Sequence, residues 1–328
     1  MPSAPSADRS RQLGTGAADV PAYADPGYVA SLADVGRPVH LPGSGGWLLS
    51  RSVPDTDRRD LSGPYPLFSC ADWSLLADDL ATPDDDPLSV VAVADPLGSW
   101  RPADLQAAFP DHLVLFKRHQ VRELSRPAPL PSHHRRQLGR AARAVEVEVC
   151  ADPLDHLDDW VALYDFLVAR RRLTGISAFS RDSFSKQLAV PRMLAVRAER
   201  DGATVGMALW LVGGDTAYYH LGASTAAGYE ASASYAIFAA AFEHLRELGV
   251  DRVDLGGSAG AAHRDDGLFR FKSGWANAEL PAWLGGRVVD RPGYEALAGD
   301  GAPGWFPAYR APAAPAEVPP PSVEDEVG

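Results

Sequence analysis

In the run Asp266-Gly267-Leu268-Phe269-Arg270-Phe271-Lys272-Ser273-Gly274-Trp275, cations and phenylalanines alternate. In an extended segment successive side chains point to opposite faces, so Arg270 and Lys272 would share one face and Phe269 and Phe271 the other. The aromatics then anchor the segment. An ammonium held in a water-poor cleft can meet negative charge as it develops on a carbonyl oxygen. The competing arrangement pairs Lys272 with Asp265 or Asp266 at the surface. Tyr219 and Tyr229 offer phenols that either pack with a backbone partner or contact a substrate and relay a proton. His220 alternates away from Tyr219, so at most one of the two faces a given cleft. Ser232 and Ser234 stand where a helix opens, a position that capping alone explains. His263 and Asp254 could act as general base or orienter, although a lone residue of either type more often serves structure.

These groups need a scaffold, and the pattern around them supplies one. From Met193 onward the chain reads as strands at Leu194 to Arg197, Val205 to Val212 and Ala217 to Leu221, punctuated by Asp201-Gly202 and Gly213-Gly214-Asp215 as in an antiparallel meander. A polar loop, Gly222 to Ser232, leads to an apolar, alanine-rich helix from Ala233 to Leu248, and Val250 to Leu255 is the next strand. Upstream, Ser132 to Arg143 has helical composition, and Val145, Val147 and Val149 alternate as in a strand. Asp155 to Arg172 carries one broad apolar face, and its closing arginines suit the helix dipole. Arg181 to Leu188 is a further helix. Leu88 to Val93 and His112 to Phe116 read as strands, with Pro102 to Phe109 a short helix between them.

Length and composition set the outer bounds. The chain has 328 residues, 46% hydrophobic and 23% charged, as expected of a globular protein large enough for more than one core. No apolar run is long enough for a transmembrane segment, and the first residues lack the apolar stretch of a secretory signal, so a cytoplasmic location is expected. Cys70 and Cys150 are the only cysteines and lack metal-ligand spacing, so no metal is expected. The formal net charge of -12 argues against DNA binding. Yet Lys117, Arg118, Arg122, Arg126, Arg135, Arg136, Arg140 and Arg143 are opposed within their window only by Glu123. Either this stripe is a solvated face balanced by acidic loops such as Asp84 to Asp86, or it meets an anion.

Tyr218-Tyr219-His220-Leu221-Gly222-Ala223-Ser224, Tyr229, Ser232 to Tyr235, Asp254-Leu255-Gly256-Gly257 and the Asp266 to Trp275 run together resemble the Fem-like branch of the GNAT acyltransferases, relatives of the peptidoglycan bridge aminoacyltransferases. The resemblance spans about Ser132 to Trp283 and is looser over Gly63-Pro64-Tyr65-Pro66 and Phe116-Lys117-Arg118-His119. It implies an α/β (α+β) fold, a GNAT-type mixed sheet flanked by helices, in two tandem lobes. The expected division is a disordered N-terminus (1–20), a degenerate GNAT-like lobe (21–130), an acyltransferase lobe (131–300) and a disordered Pro/Ala/acidic tail (301–328). Two strands, Ala217 to Ala223 and Val250 to Leu255, would splay apart to admit the acyl donor.

The resemblance further implies an N-acyltransferase that moves an aminoacyl group from aminoacyl-tRNA, or an acyl group, to an amine of a peptide, cell-wall precursor or small metabolite. No cofactor is permanently bound; aminoacyl-tRNA or acyl-CoA is the co-substrate. Lys272, Phe271 and Tyr219 are then the catalytic candidates. Arg270, Tyr229, Ser232, Ser234, Gly256 and Gly257 would bind the donor, and Arg135, Arg136 and Arg140 a tRNA or other anion. An acyl-CoA-dependent N-acetyltransferase is one alternative. The stretch Ala226 to Ala233 lacks the regular Arg/Gln-x-x-Gly-x-Gly/Ala pattern of CoA loops, and Glu230 would repel a pyrophosphate unless turned away. A noncatalytic ligand-binding module of the same fold is the other, and the Phe271-Lys272 pair weighs against it. Leu255 to Gly260 lacks the spacing of a dinucleotide fingerprint.

Overall fold

The computed structural model describes residues 20–171, 175–258, 267–299 and 305–311. Its strands are β1 (Arg37–Leu41), β2 (Gly46–Ser52), β3 (Arg59–Ser62), β4 (Ser89–Val93), β5 (His112–Glu123), β6 (Glu146–Val149), β7 (Met193–Arg200), β8 (Ala203–Gly213), β9 (Thr216–Ser224), β10 (Arg252–Asp254) and β11 (Ala278–Val288). The helices are α1 (Pro26–Ala30), α2 (Leu76–Asp79), α3 (Pro102–Ala108), α4 (Ser132–Ala141), α5 (Leu157–Arg171), α6 (Arg181–Ala189), α7 (Ala226–Ala231), α8 (Ala233–Glu247), α9 (Gly267–Ser273) and α10 (Arg291–Ala298). All the strands join one mixed sheet in the order β1-β2-β3-β4-β11-β5-β10-β9-β8-β7-β6.

Local chemistry explains the meander. Asp201 and Gly202 both adopt positive φ, 55° and 77°, which gives the two-residue turn whose twist matches the hairpin β7–β8. Side chains of β8 feed two cores: Leu209 and Leu211 face a cluster with Tyr23, Tyr28, Trp160 and Phe184, while Ala208, Trp210 and Val212 face a second with Ile237, Phe238 and Phe242 of α8. The alanines of α8 permit its close approach to the sheet. A third cluster, around Phe68, Trp73 and Phe109, underlies β1 to β4.

Two connections tie the ends of the chain together. β11 lies between β4 and β5, antiparallel to both, and β10 pairs antiparallel with β5 and parallel with β9. The N-terminal Tyr23 and Tyr28 pack with His220 of β9. Every partner of β10 in the sheet is thus fixed by a different part of the sequence.

Two segments differ from the sequence expectation. Gly222 to Ser232 is not a loop: β9 continues to Ser224, Thr225 caps α7 through a hydrogen bond from Gly228 N, and Ser232 sits in the left-handed region at φ 61° between α7 and α8. Leu268 to Ser273 is not extended but lies in α9. The apolar contacts follow helical spacing: Phe271 and Trp275, four apart, both meet Phe238 and Tyr235. Arg270 and Lys272 therefore point to different sides, Arg270 exposed and Lys272 buried.

Candidate functional site

β9 and β10 are paired only where Thr216, Ala217 and Tyr218 meet Arg252, Val253 and Asp254; beyond this point the ladder ends and the strands separate. Lys272 lies where the two strands part. Its side chain is buried, Nζ donates to Gly257 O at 2.9 Å, and Nζ lies 5.6 Å from the centre of the Tyr219 ring. Gly256 turns with φ 76°, and a Cβ there would stand 3.0 Å from the ammonium. Lys272, Tyr219, Gly256 and Gly257 are therefore one cluster. Phe271 supports it, packing edge-on against Phe238 at 4.7 Å and Tyr235 at 5.0 Å.

The Tyr219 hydroxyl runs over Gly222, where an added Cβ would fall 2.1 Å from it. Opposite Leu209 and Trp210, whose partners are Leu221 and Tyr219, β9 carries the extra residue His220. Such a bulge redirects side chains where a strand leaves its ladder. Burial pushes the Tyr219 phenol well above its usual range, so it is a hydrogen-bonding group and not an anion.

The other expected donor contacts are dispersed. Arg270 lines a cavity of about 370 Å3 with His133, His134, Tyr235, Gly267 and Phe271. Tyr229 is exposed, with the Arg170 guanidinium 4.4 Å from its ring. Ser232 does not cap α8; its hydroxyl donates to Gln137 Oε1 at 2.9 Å, tying α8 to α4. Ser234 is half-buried on the first turn of α8. Arg135, Arg136 and Arg140 are exposed on α4, and among the described residues no carboxylate forms an ion pair with them. Arg140 also lines a cavity of about 910 Å3 with Arg143, Arg200, Glu199 and Glu230. Glu230 is exposed there. His263, Asp265 and Asp266 lie outside the described residues.

Several groups escaped the sequence reading. His134 of α4 donates from Nε2 to Phe271 O at 2.9 Å and stacks on the Phe271 ring, so it holds α9 in place. Lys117 of β5 donates to Ser258 O at 3.1 Å, one residue from the carbonyl that Lys272 holds; burial lowers its affinity for a proton. The signal was present in Phe116-Lys117-Arg118-His119, but nothing in the sequence places β5 beside β10. On the opposite face of the sheet from Tyr219, Tyr218 donates to the buried Asp95 at 2.6 Å. Burial raises the Asp95 carboxyl to about 6, against hydrogen bonds from Tyr218, Ser69 and Leu97 N that favour the anion. A cavity of about 520 Å3 opens there, lined by Trp73, Asp95, Arg192, Thr216, Tyr218 and Arg252.

Glu148, Cys150 and His156 bring ligand atoms within 4.8 Å of one another. Arg197 already occupies Glu148 at 2.8 Å, and burial with the Glu148 charge pushes the Cys150 thiol up to about 12. The trio is accounted for as an ion pair beside a core thiol. No helix among the described residues is long and apolar enough to cross a membrane.

Comparison with known proteins accords with this geometry. Residues 132–273 match the family model described as an acetyltransferase (GNAT) domain. The fold is shared with the crystal structure of FemX, at 13% identity over 90% of this chain and 99% of that one, with a TM-score of 0.65. It is also shared with the C-terminal domain of a putative lysylphosphatidylglycerol synthetase from Agrobacterium fabrum, at 16% identity, 87% and 92% coverage and a TM-score of 0.59. L-PGS from Bacillus licheniformis has a TM-score of 0.53 at 13% identity, with 81% and 92% coverage. No curated protein sequence matches the chain.

Proposed function

We propose that this chain, a GNAT-fold protein with the Fem-like arrangement of its sheet, is an N-acyltransferase that carries an aminoacyl group from aminoacyl-tRNA to an amine. The observation that carries the proposal is the buried Lys272 ammonium at the mouth of the β9–β10 gap, on Gly257 O and beside Tyr219. An acyl carbonyl seated in that gap presents its oxygen to the ammonium. As the amine attacks, charge gathers on that oxygen, and a preformed cation in a dry site stabilises it without having to reorganise. Phe271 and His134 hold the helix that carries Lys272, and Tyr219 sets the wall against which the acyl group lies.

Two features favour an aminoacyl donor over acyl-CoA. The segment before α8 is itself a helix, α7, so the turn that would cradle a pyrophosphate is not free. The exposed arginines of α4 lie on the helix whose His133 and His134 border the α9 cavity, where they can meet the phosphates of an acceptor stem. Among the structures that share the fold, one is named a putative lysylphosphatidylglycerol synthetase, consistent with aminoacyl chemistry on this scaffold. A cell-wall precursor, a small peptide and an amine metabolite all meet the requirement for a nucleophilic acceptor.

The test is mass spectrometry of incubations with aminoacyl-tRNA, acyl-CoA and a panel of amines, comparing the parent with Lys272→Ala. Transfer from aminoacyl-tRNA that falls about 100- to 1000-fold in the variant, the usual cost of one oxyanion donor, is the expected result. Equal product from both proteins would refute the assignment of Lys272.

A further inference from the structure

The two sides of the β9–β10 gap carry different chemistry. Val253, Leu255, Ala217 and Tyr219 face the α8 core, the side of Lys272. Asp254 and Tyr218 face the other side, and there Asp254 forms a buried pair with His119 of β5, Nδ1 to Oδ2 at 2.8 Å. The second Asp254 oxygen accepts from Gly256 N at 2.7 Å. Backbone bonds lock the same register: Leu255 N donates to Gln120 O at 2.8 Å and Gln120 N to Gly256 O at 3.1 Å. The carboxylate is thus fixed at both oxygens, and the imidazole is fixed by the carboxylate.

With Asp254 accepting at Nδ1, the proton of a neutral imidazole resides on Nδ1 and the lone pair on Nε2. Nε2 has no hydrogen-bond partner among the described residues and is not sealed from solvent, and the side chain keeps 10% of its surface open. Asp254, by contrast, is 3% exposed. A histidine kept for packing alone has no need of an oriented, open nitrogen beside a gap where two strands part.

Resting on the acyl-transfer reading above, we infer that His119 is the general base of the reaction, oriented by Asp254, and that the amine acceptor approaches from this face while the donor lies against Lys272. The amine lone pair forms the C–N bond to the donor carbonyl carbon, and the carbonyl π electrons pass to the oxygen beside Lys272. His119 Nε2 has first taken one proton from the ammonium form of the acceptor, which frees that lone pair. The intermediate then expels the tRNA ribose oxygen, which takes up the proton shed by the attacking nitrogen, and His119 releases its own proton to solvent. The net products are an amide and a free 3′-terminal hydroxyl.

The test compares the parent with His119→Asn, whose amide nitrogen can keep the bond to Asp254 while the base is removed. Transfer from aminoacyl-tRNA is measured to an alkylamine, protonated at neutral pH, and to hydroxylamine, which is not. The expected result is a loss of about 100- to 10,000-fold in kcat for the alkylamine, an unchanged KM for the donor, and near-parental transfer to hydroxylamine. Equal loss with both nucleophiles, or no loss, overturns the inference. If His119→Asn melts well below the parent, Asp254→Asn carries the test, because it leaves the imidazole and removes its orientation; the same nucleophile-selective loss is expected. An active parent with an unaffected variant sinks only the role of His119. A parent inactive with every donor sinks the acyl-transfer reading, and this inference with it.

Discussion

His220 and Asp95 are buried on the same side of the sheet and are perturbed in ways that oppose each other in acid. Burial lowers His220 from its ordinary 6.5 to about 3, so the folded protein holds a neutral imidazole between Tyr23 and Gln187. Its contribution to stability is complete above pH 6.5 and is lost as pH falls toward 3, because only the unfolded chain takes the proton in that range. Asp95 has the opposite sign. Raised from 3.8 to about 6, it favours the fold below 3.8 and loses that contribution as pH climbs through 6. Between these limits each group changes stability by about 1.4 kcal/mol per pH unit, and the two slopes cancel. Urea unfolding of the parent, His220→Gln and Asp95→Asn from pH 4 to 6 checks this. Relative to the parent, His220→Gln should lose stability as pH rises and Asp95→Asn should gain it. Parallel curves for all three proteins would show that neither group titrates as its burial implies.

At the scale of single elements, the placement of Tyr219 beside the bulge in β9 depends on one glycine. The Tyr219 hydroxyl occupies the space where a Gly222 Cβ would lie, 2.1 Å from it, whereas the ring carbon bearing the hydroxyl is 3.0 Å away. Gly222→Ala should therefore destabilise the protein by about 1–3 kcal/mol through overpacking and move Tyr219 away from Lys272. Adding Tyr219→Phe removes the clashing oxygen, so the double variant should be more stable than Gly222→Ala alone, a coupling that thermal melts of all four proteins would measure. The sequence made β9 legible but not this contact, because nothing in a linear pattern shows which side chain bends over which glycine. α9 shows the same limit from the other direction. Leu-Phe-Arg-Phe-Lys-Ser satisfies strand alternation and a helical face equally well over so short a run. Its partners decide: Phe238, Tyr235 and His134 come from distant segments and select the helix, which separates Arg270 from Lys272. The meander and α8 were readable because their signals are local: turn residues, alanines and strand periodicity; Gly256 and Gly257 were singled out only through the family resemblance. The pairing of β5 with β10, which supplies Lys117 and His119, has no local signal at all.

For the molecule as a whole, net charge and charge distribution predict different partners. A chain at -12 should repel nucleic acid, yet Arg135, Arg136 and Arg140 project from one exposed helix with no carboxylate paired to them among the described residues. Beyond a Debye length of about 8 Å at physiological ionic strength, distant acidic loops are screened, so an approaching phosphate responds to the local arginines. Direct contacts with phosphate also release counterions, which gives the affinity a salt slope that reports how many charges are engaged. If α4 receives the acceptor stem, Arg135→Ala/Arg136→Ala/Arg140→Ala should raise KM for aminoacyl-tRNA by about tenfold or more near physiological salt. It should also flatten the plot of log KM against log salt by up to about two to three units of slope. kcat should change little, because the chemistry proposed above is assigned to Lys272 on another helix. Transfer from a short aminoacyl-ribose mimic, which lacks the stem, should not respond to the triple substitution. Loss of kcat with the mimic would place the arginines in the chemical step, and an unchanged salt slope with tRNA would leave them a solvated face.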